Sequence, residues 1–171
     1  MSIFQRLKRV FAKPQPLKAA PSVLTIGPGD VCEVSLVTYQ VVGRTQNRQR
    51  NLIVLTLQDG SQIKYLTVEE RERTVFALYE PIDGRLDAVD EVPTVLELDD
   101  RTYHLEEQYS GFITAAGKTP FVQGGEQYVW QFQSDDMKLL RIEWQDGRFM
   151  LYEGETVLPA DVRVLRGEQP S

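Results

Sequence analysis

Residues 139–154 read LLRIEWQDGRFMLYEG. Two short runs of branched and aromatic side chains flank Asp146-Gly147, a pair that tolerates positive φ at both positions, and this predicts a β-hairpin. NLIVLTLQDGSQIKYLTV, residues 51–68, repeats the device around Asp59-Gly60. Upstream, VCEVSLVTYQVVG (31–43) is rich in Val, Thr and Tyr and alternates loosely, as strands do. Long helical periodicity is missing from residue 29 onward. TVEERERTVFAL (67–78) has Thr67 and Glu70 in capping-box spacing. It reads better as a polar turn, Glu69 to Arg73, between strands 62–68 and 74–80, because its counterpart in the second half of the chain is plainly a hairpin.

That counterpart comes from setting the halves side by side. Lys64 to Glu69 (KYLTVE) matches Lys138 to Glu143 (KLLRIE). Leu78-Tyr79-Glu80 matches Leu151-Tyr152-Glu153, and Thr38-Tyr39-Gln-Val matches Thr102-Tyr103-His-Leu. Order and spacing point to a duplicated unit, with chance matching of short segments as the alternative. The expected fold is all-β: two tandem similar antiparallel β units, residues 28–92 and 93–166, packed as a sandwich or barrel-like body. A short amphipathic helix (1–13) and a Pro-rich linker (14–27) precede them, and a tail (167–171) follows. The second unit carries an insertion, Ser110 to Gly125, whose glycines and proline predict a loop displaying Phe112, Ile113 and Phe121. The plainer alternative folds these side chains back onto an open end of the core.

The chain has 171 residues, 42% hydrophobic and 26% charged, as an ordinary soluble domain would. No apolar run approaches the ~20 residues of a spanning helix, and no signal-peptide pattern is visible. A single cysteine, Cys32, suits a reducing compartment, so the expected location is the cytoplasm, peripheral to the inner membrane if the N-terminus anchors there. The net charge of -6 hides a split: residues 1–20 hold five basic residues and no acid, and the rest holds 14 basic against 25 acidic residues. Such a body repels a nucleic-acid backbone, so no nucleic-acid partner is expected.

Candidate chemistry is sparse. His104 and Cys32 are the only residues of their kinds, and their settings read as a strand residue and a buried small hydrophobe. Four Cys or His ligands for structural zinc are not available. The acid pairs Glu69-Glu70, Asp99-Asp100, Glu106-Glu107 and Asp135-Asp136 lie in strands, where neighbours diverge, or in turns, where Asp binds its own backbone. No catalytic residue, metal or cofactor is expected.

The motifs Gly29-Asp30, Val37 to Gly43, Leu66 to Glu69, Tyr103 to Glu107, Gly117 to Pro120 and Ile142 to Gly154 occur in an order that resembles the bacterial domain of unknown function 4178 family, over residues 29–166 or so. The resemblance implies a β-rich domain without an established enzymatic activity, encoded in many cases beside membrane-stress proteins of the phage-shock A type. It also implies that Tyr103 and Glu107 are more than surface, without assigning them a role.

MSIFQRLKRVFAK, residues 1–13, is unlike the rest. On a helix Ile3, Phe4, Leu7, Val10 and Phe11 fall within an arc of about 120°, and Arg6, Lys8, Arg9 and Lys13 take the remainder. Four basic residues at about 1 kcal/mol each near an anionic leaflet, with partial apolar burial, would give weak, reversible attachment. Four readings stand: an anionic membrane surface, a groove on a partner such as a phage-shock A type protein, docking on the chain's own acidic body, and an accidental pattern. The expected function is a non-enzymatic adaptor recruited through this segment. The rival is a small-molecule or polar-ligand binding domain, catalytic at the limit, with its surface near Tyr103, Glu107, Phe112, Ile113, Lys118 and Phe121. A deep pocket lined by inward carboxylates would favour that rival. A structural homo-oligomer would instead show a long, exposed apolar strand edge.

Overall fold

The computed structural model describes residues 22–86, 88–121 and 124–165. They form eleven strands: β1 (Val31–Val34), β2 (Val37–Asn47), β3 (Leu52–Asp59), β4 (Gln62–Glu70), β5 (Thr74–Ile82), β6 (Val95–Leu98), β7 (Arg101–Gly117), β8 (Gly125–Ser134), β9 (Leu139–Gln145), β10 (Arg148–Val157) and β11 (Val162–Leu165). Their order in the sheet is β11-β1-β2-β3-β4-β5-β10-β9-β8-β7-β6, and β2 also pairs with β7. This last pairing runs from Gly43 opposite Gly117 to Gln46 opposite Thr114. It closes eight strands, β2 to β5 and β7 to β10, into an antiparallel barrel. The seam needs close backbone approach: a Cβ on Gly43 would lie 1.8 Å from the Lys118 carbonyl oxygen.

The hairpins explain the local order. Ser35-Leu36, Asp99-Asp100 and Asp146-Gly147 all have positive φ at both positions, the geometry that matches the right-handed twist of paired strands. The β3–β4 turn differs from expectation by one residue. Asp59 pairs with Gln62, so the turn is Gly60-Ser61, with Gly60 at φ +58.

Two bulges decide which side chains face inward. In β2 the register slips between Val41 and Gly43, and in β7 between Leu105 and Glu107. Before each slip, Tyr39, Val41 and Tyr103 face away from the barrel into apolar clusters. Beyond it, Gly43, Thr45 and Asn47, and likewise Glu107, Tyr109 and Gly111, share the parity that points into the barrel, because an extra residue inverts the alternation.

The apolar mass therefore lies outside the barrel wall. One cluster holds Cys32, Val34, Tyr39, Leu55, Leu57, Leu66, Val68 and Phe76, beneath β1, β11 and residues 22–28. The other holds Tyr103, Trp130, Phe132, Leu140 and Ile142, beneath β6 and Ile82, Leu86, Val89 and Val92. Each fully buried side chain of this size contributes about 1.5–3 kcal/mol. Inside the barrel a smaller cluster of Tyr65, Ala77, Tyr79 and Tyr152 is joined by buried polar side chains, with Thr45, Asn47, Thr56, Thr67, Gln127, Arg141, Glu143 and Gln145 all under 10% exposed.

Several expectations change. Residues 110–125 are mostly strand, since β7 runs to Gly117 and β8 begins at Gly125. The glycines there serve close packing: a Cβ on Gly111 would meet the Asn47 amide at 2.6 Å. Residues 22–27 are no extended spacer, because Val23, Leu24 and Ile26 pack on the first cluster. The end of the second unit returns to the first, as β11 pairs with β1. The amphipathic segment 1–13, with Ile3, Phe4, Arg6, Leu7, Lys8, Arg9, Val10, Phe11 and Lys13, lies outside the described residues, as does the tail 167–171. The outer edges, β11 and β6, are four residues each, short edges that limit edge-to-edge pairing. Among the described residues no helix is long and apolar enough to cross a membrane.

Candidate functional site: a polar cup at one end of the barrel

The lower half of the barrel interior is filled. Tyr65 and Tyr152 meet edge to face at 5.1 Å, Tyr79 lies 6.5 Å from Tyr152, and Ala77 packs with them. The upper half is open. A cavity of about 830 Å³ lies toward the end where the β2–β3 and β4–β5 turns stand. Leu52, Thr67, Val75, Ala77 and Thr156 form one wall, and Glu106, Glu107, Tyr109, Gln131, Gln133 and Arg141 form the other.

Four charged side chains bridge the rim. Arg50, from the β2–β3 turn, donates from Nη1 to Glu107 Oε1 at 2.6 Å and from Nη2 to Glu69 Oε1 at 3.0 Å. Its guanidinium carbon sits 3.7 Å from the centre of the Tyr109 ring, a cation–π contact. Arg71 Nη2 reaches Glu69 Oε2 at 3.2 Å and, more weakly, Glu107 Oε2 at 3.5 Å. The hydrogen bond from Arg50 is the main cause holding the Glu107 carboxyl below its ordinary pKa.

The floor is built around Arg141, 4% exposed. Its Nε donates to Glu143 Oε2 at 2.9 Å, and Nη1 donates to the Tyr109 hydroxyl at 3.1 Å and to Gln131 Oε1 at 2.8 Å. Gln131 Nε2 in turn donates to the Tyr79 hydroxyl at 3.0 Å. Burial opposes the charge of Arg141, but the Glu143 carboxylate hydrogen-bonded to it helps raise the guanidinium above its ordinary value. Burial likewise pushes the Tyr79 phenol up, so it stays a neutral donor and acceptor.

Tyr109 links the two layers, with its ring under Arg50 and its hydroxyl on Arg141. The cup offers fixed hydrogen-bond donors and acceptors, suited to recognising a polar molecule. The single histidine and the single cysteine lie elsewhere: His104 is exposed on β7, and Cys32 is buried in the first outer cluster with its thiol pushed up to about 11 by burial. Among the described residues no group of three or more His, Cys, Asp and Glu is placed to hold a metal.

The family described as Domain of unknown function (DUF4178) matches residues 27–159. The chain belongs to this family. No curated protein and no solved structure matches it. The span matched to the domain of unknown function 4178 contains β1 to β10 and every side chain of the cup, and leaves β11 and the first 26 residues outside.

Of the expected ligand-surface residues Tyr103, Glu107, Phe112, Ile113, Lys118 and Phe121, Glu107 reaches the cup, and so do Glu69 and Glu106 from the acid pairs without expected chemistry. Tyr103, four residues earlier, is fully buried in the second outer cluster, because the bulge between them reverses their faces. Phe112 is 68% exposed, Ile113 and Phe121 are buried, and Lys118 is exposed beside the β2–β7 seam. These four do not gather with Glu107. Arg50, Tyr79, Tyr109, Gln131 and Arg141 are not among the expected site residues. The signal for some of them was the alternation Gln127-Tyr-Val-Trp-Gln131-Phe-Gln133 and Arg141-Ile-Glu143, whose polar parity faces the barrel interior.

Proposed function

We propose that the chain is a non-enzymatic binding module that takes a polar small molecule in the cup. The observation that carries this reading is the cavity left open above a filled interior, floored by the buried, charged Arg141 and rimmed by carboxylates. Its volume lies within the roughly 300–1,000 Å³ of small-molecule sites. A panel of amino acids, sugars, nucleotides and organic acids is screened by thermal shift on wild type and Tyr109→Phe. A ligand that raises wild-type Tm and acts less on the variant supports the cup, and a panel without effect counts against it.

A second reading complements the first: the basic N-terminal segment brings the module to an anionic inner-membrane surface or to a membrane-stress partner of the phage-shock A type, from a cytoplasmic location. The helical segregation of Ile3, Phe4, Leu7, Val10 and Phe11 from four basic residues favours it. Flotation with anionic and neutral liposomes tests it. Salt-sensitive binding to anionic vesicles should disappear on deleting residues 1–20, and unchanged membrane and partner association after the deletion would sink the idea.

A duplicated origin for residues 28–92 and 93–166 belongs to the same reading. It is supported by position: Tyr39 and Tyr103 are each the third residue of the long strand after the first hairpin, and both bulges begin two residues later. Superposing β1–β5 on β6–β10 should align the two bulges, and an offset register would contradict it.

A further inference from the structure

The floor and the rim of the cup have opposite hydrogen-bonding characters. On the floor, Gln131 is used at both ends, accepting from Arg141 and donating to the Tyr79 hydroxyl. The Tyr109 hydroxyl accepts from Arg141 as well. Both phenol oxygens thus act as acceptors in these bonds and retain a hydrogen to donate. Arg141 uses Nε and Nη1, whereas Nη2, with two further N–H groups, enters none of these bonds. A buried group that lines an open cavity with a surplus of donors calls for an acceptor.

The rim is acidic. Glu69 and Glu107 are held by Arg50 and Arg71, and Arg141 is balanced by Glu143. Glu106, the extra residue at the β7 bulge, also lines the cavity and is exposed. It leaves an excess of negative charge at the entrance, which disfavours a dianion such as a phosphate ester and favours a cationic group.

From this layering we infer that the cup binds an amino-carboxylate zwitterion, a free amino acid or short peptide, with its carboxylate on Arg141 Nη2 and the Tyr79 and Tyr109 hydroxyls and its ammonium beside Glu106. The inference rests on the reading of the cup as a ligand site and specifies what that site takes. The wall formed by Leu52, Val75 and Ala77 receives the apolar side of such a molecule.

Isothermal titration of the full chain with alanyl-leucine tests it, beside N-acetyl-alanyl-leucine, alanyl-leucinamide, glucose and adenosine monophosphate. Amidation of the carboxylate should weaken binding by about tenfold or more, the effect of losing a charged hydrogen-bond partner. Tyr109→Phe should weaken alanyl-leucine by about tenfold and leave its amide little changed. Glu106→Gln should weaken alanyl-leucine but not the N-acetyl form. Equal affinity for the dipeptide and its amide overturns the zwitterion. So does tighter binding of glucose or the nucleotide with the same Tyr109→Phe sensitivity, and in that case the cup itself still stands as a site. No binding of any probe overturns both.

Discussion

Arg50 Nη1 and Glu107 Oε1 lie 2.6 Å apart, although 57 residues separate them in the chain. This contact ties the β2–β3 turn to β7 across the mouth of the barrel. It holds Arg50 over the ring of Tyr109, whose hydroxyl accepts from Arg141 below.

Glu107→Gln should destabilise the fold by about 1 kcal/mol or less, because both partners are partly exposed and solvent screens the pair. The pH dependence has a definite sign. Since the folded pKa of Glu107 lies below its ordinary 4.5, its contribution is present above pH ~4.5 and is lost as pH falls through the lower, folded value. Urea unfolding of wild type and variant between pH 3 and 7 should show the two curves converging at the acid end. A constant gap over that range would contradict the pairing.

The floor pair behaves differently because it is buried. Arg141→Ala leaves the Glu143 carboxylate without its guanidinium in a site 4% exposed, and should cost about 3–5 kcal/mol. Replacing both by Met and Leu should cost less than the single change. Chemical denaturation of the two variants decides it, and equal costs would mean that the pair is not coupled.

Barrel closure depends on Gly43. Its absent Cβ would strike the Lys118 backbone, so Gly43→Ala should force the β2–β7 seam apart and cost more than about 2 kcal/mol. Amide exchange of Thr45 and Gln46 should rise with it. A neutral substitution would imply an open sheet.

Leu36 is 88% exposed at φ +69 in the β1–β2 turn, where a left-handed backbone costs a branched side chain about 1–2 kcal/mol. Leu36→Gly should therefore stabilise the protein by about 0.5–1 kcal/mol after the larger unfolded-state entropy of glycine is subtracted. The melting temperature measures this, and a lower value would place functional contact energy on that side chain.

The fold was legible where turn chemistry is local. The hairpin at Asp146-Gly147 follows from residue types alone, and the polar turn before Thr74 follows from the match of its flanking strands to that hairpin. The barrel was legible only as one of two ways to cover apolar strand faces. Its decisive features are long-range pairings, β2 with β7 and β1 with β11, which no local pattern carries. The cup was hidden for a related reason. An alternating strand such as Leu140-Arg-Ile-Glu-Trp144 ordinarily shows its polar face to water, but here the apolar face meets an outer layer and the polar face turns inward. Tyr103 and Glu107 were named together by the family resemblance; they share a parity in the sequence, and the one extra residue of the bulge parts them.

The most direct test of the cup as a binding site is calorimetric titration of the best ligand from the thermal-shift panel into wild type and Ala77→Phe. Ala77 lines the cavity from β5 and makes no side-chain hydrogen bond of its own, so the added ring should occupy the space a ligand would take. Far-ultraviolet circular dichroism first establishes that the variant retains its β structure. The account predicts one-to-one binding by wild type and its loss in Ala77→Phe. Equal binding by both proteins would place the ligand elsewhere and contradict it.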